Sequence, residues 1–119
     1  MKIGIIGQGY VGSAIKLGFQ DYYDVFTYDK FDLGKSTHSK ISDLVEEAKV
    51  IFVCVPTPMR KDGTCYTGIV EEVIREINET ATDHIVVIKS TIPPGTTDRI
   101  NQEYTHSTVI FNPEFLTEA

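Results

Sequence analysis

The sequence is poor in the residues that organise small secreted or metal-bound folds. Among 119 residues there are two cysteines and no tryptophan. Cys54 and Cys65 stand eleven positions apart, which matches neither a metal knuckle nor a CxxC redox pair, so disulfide and metal roles are set aside. Long hydrophobic runs are missing too. The longest uninterrupted apolar stretch, Val50 to Val55, is far below the roughly 20 residues that a membrane-spanning helix needs. The first residues, Met1-Lys2-Ile3-Gly4-Ile5-Ile6, pass straight into glycines without the apolar segment and small-residue cleavage site of a secretory signal. A cytoplasmic chain that crosses no membrane is expected. Positive charge is the third shortage. Eleven lysines and arginines against 17 aspartates and glutamates give a net charge of −6, with no basic run, which discourages binding to nucleic acid or anionic lipid.

What remains is ordinary globular composition, 41% apolar and 24% charged, at the length of one domain. There is no internal repeat, low-complexity tract or linker, so residues 1–119 are read as a single domain. Five short segments rich in β-branched residues recur: Lys2 to Ile6, Asp24 to Tyr28, Val50 to Val55, Ile85 to Lys89 and Thr108 to Phe111. Their apolar residues run on without alternating, as in parallel strands covered on both faces. Between them the period changes to that of a helix. Val11, Ala14, Ile15, Gly18 and Phe19 form one stripe, Ile41, Leu44, Val45 and Ala48 a second, and Val70, Val73, Ile74 and Ile77 a third. Thr67 is placed to cap this third helix, with Glu71 and Glu72 in its first turn. A fourth helix is expected from Thr96 towards Tyr104, after Pro93-Pro94-Gly95.

The fold class that follows is α/β: a Rossmann-like, doubly wound, open parallel sheet of five main strands with helices on both faces. A short sixth strand is possible at Lys35 to Thr37, because the connection from the second to the third long strand holds one convincing helix where a full half of the fold carries more.

Gly7-Gln8-Gly9-Tyr10-Val11-Gly12 fits GxGxxG in its demanding context, between a strand and an amphipathic helix. Gly7 serves the tight turn, Gly9 lets backbone approach a pyrophosphate, and Gly12 lets helix and strand pack closely. The anion would rest on the positive end of the helix. Asp29 ends the second strand, where the fold sets an acid against the adenosine ribose; a carboxylate there favours NAD over NADP. The remaining signatures follow other strand ends: Val55-Pro56-Thr57-Pro58, then Lys89-Ser90-Thr91-Ile92-Pro93-Pro94-Gly95, then Asn112-Pro113-Glu114-Phe115-Leu116. That is the edge at which open α/β sheets bind ligands. Glu114 is a candidate to orient a water or a substrate hydroxyl. His38, His84 and His106 sit among polar neighbours and are expected at the surface. Cys54 is expected to be packed, and Cys65 lies in a loop with nothing to activate it.

These four motifs, in this order, resemble the UDP-glucose/GDP-mannose 6-dehydrogenase family, over its N-terminal NAD-binding domain alone. The resemblance implies NAD-dependent oxidation of a nucleotide sugar at C6, from alcohol to carboxylate, in two hydride transfers. It further implies that Gly7 to Gly12 and Asp29 hold the adenine half of NAD, while Val55 to Met59, Ser90, Thr91 and Ile92 line the pyrophosphate and nicotinamide side. Glu114, with Thr91, matches the pair that positions water, and Glu118 an acid near the nicotinamide. The family's active-site cysteine belongs to a later half that has no counterpart in this sequence. Two departures are visible. The family carries more chain between the Asp29 position and the third long strand, with a basic residue where this sequence has Gly34 nearby. Its last motif continues with arginine, glutamate and glycine, whereas this one reads Thr117-Glu118-Ala119.

The expectation is therefore a cofactor domain that binds NAD and does not turn over alone, because substrate must be held against the nicotinamide by walls this chain lacks. Its partner would be a nucleotide sugar, if the missing half is supplied. The alternative is a stand-alone nucleotide-binding or partner-binding module without catalysis. A hydroxy-acid dehydrogenase fits the Val-Pro-Thr-Pro and Asn-Pro-Glu-Phe-Leu motifs poorly. An uncovered last strand makes a homo-oligomer an expectation as well.

Overall fold

Parallel strands can be joined only by crossovers, and each crossover in this chain is built around a helix. The computed structural model describes residues 1–58, 61–63, 67–80, 83–90, 92–93, 95–104 and 107–112. The elements are β1 (Lys2–Ile6), α1 (Tyr10–Phe19), β2 (Asp24–Tyr28), a 3-10 turn (Leu33–Lys35), α2 (Ile41–Glu47), β3 (Val50–Val53), α3 (Gly68–Thr80), β4 (His84–Ile88), α4 (Thr96–Glu103) and β5 (Ser107–Phe111). The strands form one parallel sheet in the order β2-β1-β3-β4-β5. The chain steps from β1 to β2 in one direction and then returns past β1 to β3. The topological switch therefore lies between β1 and β3.

The core lies almost entirely on one side of this sheet. In parallel register Ile51, Val86 and Val109 line up, as do Val53 and Ile88. They meet Leu44 and Val45 of α2, Val70, Ile74 and Ile77 of α3, and Ile100 of α4 in a single buried cluster. Each fully buried Leu, Ile or Val contributes about 1.5–3 kcal/mol relative to exposure. The apolar stripes expected for α2 and α3 are the faces that build this cluster. On the opposite side the register aligns Phe52, Val87 and Ile110. There α1 sets Phe19 against Phe52, with ring centroids 5.8 Å apart, while Ile85 and Ile110 stay 39% and 46% exposed. The stripe expected along α1 is correspondingly thin. Val11, Ile15 and Phe19 are half-buried, but Ala14 and Gly18 are exposed, since among the described residues α1 alone packs on this side of five strands.

The sixth strand expected near Lys35 to Thr37 does not form; the chain makes a 3-10 turn and then touches β2 through threonine hydroxyls and backbone N–H groups. Thr27 N–H donates to Thr37 Oγ1 (2.8 Å), Thr37 N–H donates to Thr27 O (3.0 Å), and Thr27 Oγ1 donates to Lys35 O (2.8 Å). Hydroxyls and backbone N–H groups together thus satisfy the outer edge of β2. At the far edge, Asn101 of α4 does the same for β5. Its Nδ2 donates to Val109 O and its Oδ1 accepts from Val109 N–H, each at 2.9 Å. Among the described residues, side chains blunt both edges, joined at β2 by backbone bonds.

Three strands differ in their bounds from the sequence reading, β4 running from His84 to Ile88 instead of Ile85 to Lys89 and β5 starting at Ser107 instead of Thr108. β3 stops at Val53, two residues early, because Val55 turns its carbonyl out of the ladder to the Ser90 hydroxyl (2.6 Å) and prolines follow at 56 and 58. β4 begins at His84, which is not at the surface. It is 7% exposed, with Nε2 2.8 Å from Val45 O. His38 is half-buried too, edge-on to Phe26 at 5.2 Å, and His106 lies outside the described residues.

Candidate functional site

Because every strand pair is parallel, all five carboxyl ends emerge on one rim. The ladder bonds carry on into the following residues: Gly7 N–H to Tyr28 O (2.7 Å), Cys54 N–H to Ile6 O (2.8 Å), Lys89 N–H to Val53 O (2.9 Å) and Asn112 N–H to Ile88 O (3.0 Å). Gly7, Asp29, the 54–58 turn, Ser90 and Asn112 are therefore brought together along a single edge.

The Gly7 to Gly12 turn is shaped by steric need. Gly7 has φ +100°, and a Cβ there would lie 2.5 Å from Cys54 O. A Cβ on Gly12 would fall onto the Gly7 carbonyl oxygen, so α1 packs against the turn with no room for a side chain. Gly9 differs: a Cβ there would meet nothing within 4 Å. The backbone at Gly9 thus faces open space, where a phosphate could approach. The first-turn N–H groups of α1, at Tyr10, Val11 and Gly12, have no acceptor within the helix, and no acidic residue sits in that turn. The dipole and the free donors together favour an anion. Gln8 is 3% exposed and braces the turn: its Nε2 donates to Gly7 O (3.2 Å), and Ser13 Oγ donates to Gln8 O (3.0 Å). Tyr10 is exposed and Val11 half-buried.

Asp29 is held from three directions. Oδ2 accepts from Gln8 N–H (2.7 Å), Oδ1 accepts from Phe31 N–H (2.9 Å), and the Asp29 N–H donates to Ser36 Oγ (2.8 Å). The acid is thereby fixed beside the glycine turn with lone pairs left over on each oxygen. Between these elements lies a cavity of about 460 Å³ whose walls come from the glycine turn, the chain after β2, the β3 end and α3. That volume is within the usual span of small-ligand sites, about 300–1,000 Å³. Cys54, Val55 and Pro56 line it from β3, and Ile69, Glu72, Val73 and Glu76 from α3.

Ser90 is 8% exposed, and its hydroxyl hydrogen goes to Val55 O. It ties the β4 end to the Val55-Pro56-Thr57-Pro58 turn, whose Thr57 is half-buried between exposed prolines. Thr91, Glu114, Glu118 and Met59 lie outside the described residues. Ser36 and Phe31 were not reached from the sequence, since nothing in a Lys-Phe-Asp-Leu-Gly-Lys-Ser stretch marks which side chain will face a strand end. The Asx-type bond from Asp29 to the residue two places on was the available signal.

Beyond the cavity, Glu71 of α3 and Arg99 of α4 form an ion pair at 2.5 Å. Thr67, just ahead of α3, donates its hydroxyl to Glu71 Oε2 (2.8 Å). Burial pushes the Glu71 carboxyl up, but the Thr67 and Arg99 hydrogen bonds and the Arg99 charge outweigh it and hold the group below the usual glutamate value. The Arg99 guanidinium is correspondingly raised, chiefly by its hydrogen bond to Glu71. No helix among the described residues is long and apolar enough to cross a membrane.

Residues 30–119 match the model of the UDP-glucose/GDP-mannose dehydrogenase family, NAD binding domain. The chain is 30% identical to the UDP-glucose 6-dehydrogenase of Streptococcus pneumoniae over 149 residues, and 31% identical to that of Rhizobium meliloti over 156 residues. These matches take in 100% and 99% of this chain but 37% and 36% of the relatives. The chain thus spans little more than a third of the length of these relatives. Both matched spans are also longer than the chain's 119 residues, so the relatives carry insertions within the matched region. The fold superposes on a ternary complex of GDP-mannose dehydrogenase from Pseudomonas aeruginosa with a TM-score of 0.83 and 29% identity, covering 99% of this chain and 37% of that one.

Proposed function

The chain belongs to the UDP-glucose/GDP-mannose dehydrogenase family through its NAD-binding domain, and on that premise we propose that it holds NAD along its carboxyl rim as the cofactor part of a nucleotide-sugar 6-dehydrogenase. The observation that carries this reading is the bond from Gln8 N–H to Asp29 Oδ2. It locks the phosphate turn and the ribose acid into one unit before any ligand arrives, so little reorganisation is needed on binding. The local geometry fits the cofactor: open space at Gly9, free donors at the start of α1, and a cavity beside Asp29.

In this reading residues 1–119 are one domain. Gly7, Gln8, Gly9, Tyr10, Val11 and Gly12 form the pyrophosphate turn, and Asp29 accepts hydrogen bonds from the adenosine ribose hydroxyls. Val55, Pro56, Thr57 and Pro58 wall the middle of the site, with Ser90 fixing their position through Val55 O. By the resemblance to the family, Thr91 and Glu114 are assigned the orienting of water on the substrate side, and Glu118 the role of the acid that serves the nicotinamide. When bound, NAD supplies the hydride acceptor. The chain's own part is to bind it, set its orientation and keep the 2′-hydroxyl end against a carboxylate. Oxidation of the sugar requires a substrate-binding part with the catalytic cysteine, and the substrate is a nucleotide sugar. The reaction belongs in the cytoplasm.

Calorimetric titration with NAD and NADP tests the cofactor assignment, with NAD expected to bind the more tightly. Equal or tighter NADP binding would remove the role given to Asp29.

A further inference from the structure

Phe31 is 80% exposed, an unusual cost for a phenyl ring that also lines the cavity beside Asp29. It is nevertheless not loosely placed. Its backbone N–H is fixed to Asp29 Oδ1 at 2.9 Å, so the carboxylate that faces the glycine turn through one oxygen anchors the Phe31 backbone through the other. Asp29 N–H is itself held by Ser36 Oγ (2.8 Å), and Ser36 directly follows the 3-10 turn Leu33–Lys35. The ring therefore projects from a short, internally bonded loop. Lys30 Nζ stands 6.0 Å from its centroid, at the outer limit of a cation–π contact. Across the cavity, α3 contributes Ile69 and Val73 together with Glu72 and Glu76.

We infer that Phe31 is the adenine platform of this chain: a binding residue whose ring stacks on the base, with α3 closing the other side. The inference rests on the NAD reading above and deepens it. Two features choose adenine over nicotinamide. Among the described residues the cavity is lined by the ends of β1, β2 and β3 with the chain after β2, by Ile41 of α2 and by α3, and by none from the β4 or β5 ends. It also holds the ribose acid. A flat, apolar ring across the cavity from Ile69 and Val73 suits a planar base, and stacking accepts it without hydrogen-bond matching.

The chain has no tryptophan, so Phe31→Trp introduces a sole indole at the site. ADP-ribose and NAD are titrated into the wild-type chain, Phe31→Ala and Phe31→Trp. The expected result is that Phe31→Ala binds both ligands about tenfold or more weakly, while Phe31→Trp retains binding and its emission is quenched as ADP-ribose saturates. Wild-type binding of NAD with Phe31→Ala within twofold of it, or indole emission unchanged at saturation, would overturn the platform and leave the NAD reading standing. Failure of the wild-type chain to bind either ligand would take both away. Because the ring is exposed, Phe31→Ala should melt with the wild type; if it does not fold, the quenching result decides.

Discussion

Gln8 and Asp29 lie 21 positions apart in the chain, yet the Gln8 N–H and Asp29 Oδ2 are 2.7 Å apart and bonded. The bond makes the end of β1 and the end of β2 one structural unit at the site. Asp29→Asn keeps an acceptor but removes the charge. A hydrogen bond to a charged group contributes about 1.5–3 kcal/mol, so NAD affinity should fall by roughly one to two orders of magnitude. The NAD-to-NADP preference should narrow, because the repulsion of a 2′-phosphate goes with the charge. Calorimetric Kd values for both cofactors check this.

Glycines of the same motif should separate stability from binding. Gly12→Ala drives a methyl into the Gly7 carbonyl, an overpacking that costs about 1–3 kcal/mol, and should lower the unfolding midpoint in urea. Gly9→Ala has open space around it, so its midpoint should stay within about 0.5 kcal/mol of the wild type while NAD binding weakens sharply. A Gly9→Ala variant that binds NAD normally would mean no phosphate approaches that backbone.

The Glu71 and Arg99 pair gives an acid-side signature. Glu71 titrates below its ordinary value of 4.5 in the folded chain. Its contribution is therefore present above the unfolded-state pKa and is lost as pH falls through the folded value. The pair is partly exposed, at 26% and 50%, which limits it to about 0.2–1 kcal/mol. The stability gap between wild type and Glu71→Gln should be steady at neutral pH and close as pH drops below 4.5. Denaturant melts across that range measure it.

Edge protection makes a further prediction. Thr37→Val removes the acceptor for Thr27 N–H, and Asn101→Ala frees both backbone groups of Val109. Each loss should cost about 1–3 kcal/mol and expose an edge that can pair with another chain. Light scattering should show more self-association in the double variant than in the wild type.

Much of the architecture was legible because periodicity is a direct imprint of burial. The stripes at Ile41 to Ala48 and Val70 to Ile77 are the buried faces of α2 and α3, and the apolar run at Lys2 to Ile6 is a strand buried in the middle of the sheet. The α1 stripe misled in part, since the apolar spacing of Ala14 and Gly18 does not say whether anything covers them. His84 was read as a surface residue from its polar neighbours, but its partner Val45 O is 39 positions away, beyond any local pattern. The same distance effect hid the hydroxyl edge on β2: Thr27 and Thr37 meet across ten positions without a strand between them. At the site, the glycine turn and Asp29 were readable from spacing. Ser36 and Phe31 were not, because their roles come from the path of a loop.

The central claim is that one rim of the sheet forms a single cradle for NAD. Backbone amide shifts, followed by NMR as NAD is titrated into the ¹⁵N-labelled chain, test it most directly. The account predicts concentrated changes at Gly7 to Val11, at Asp29 to Phe31 and at Val55, with Tyr22 to Asp24, Lys49 and His84 at the opposite rim unmoved. Changes centred on that opposite rim, or none at saturating NAD, would contradict it.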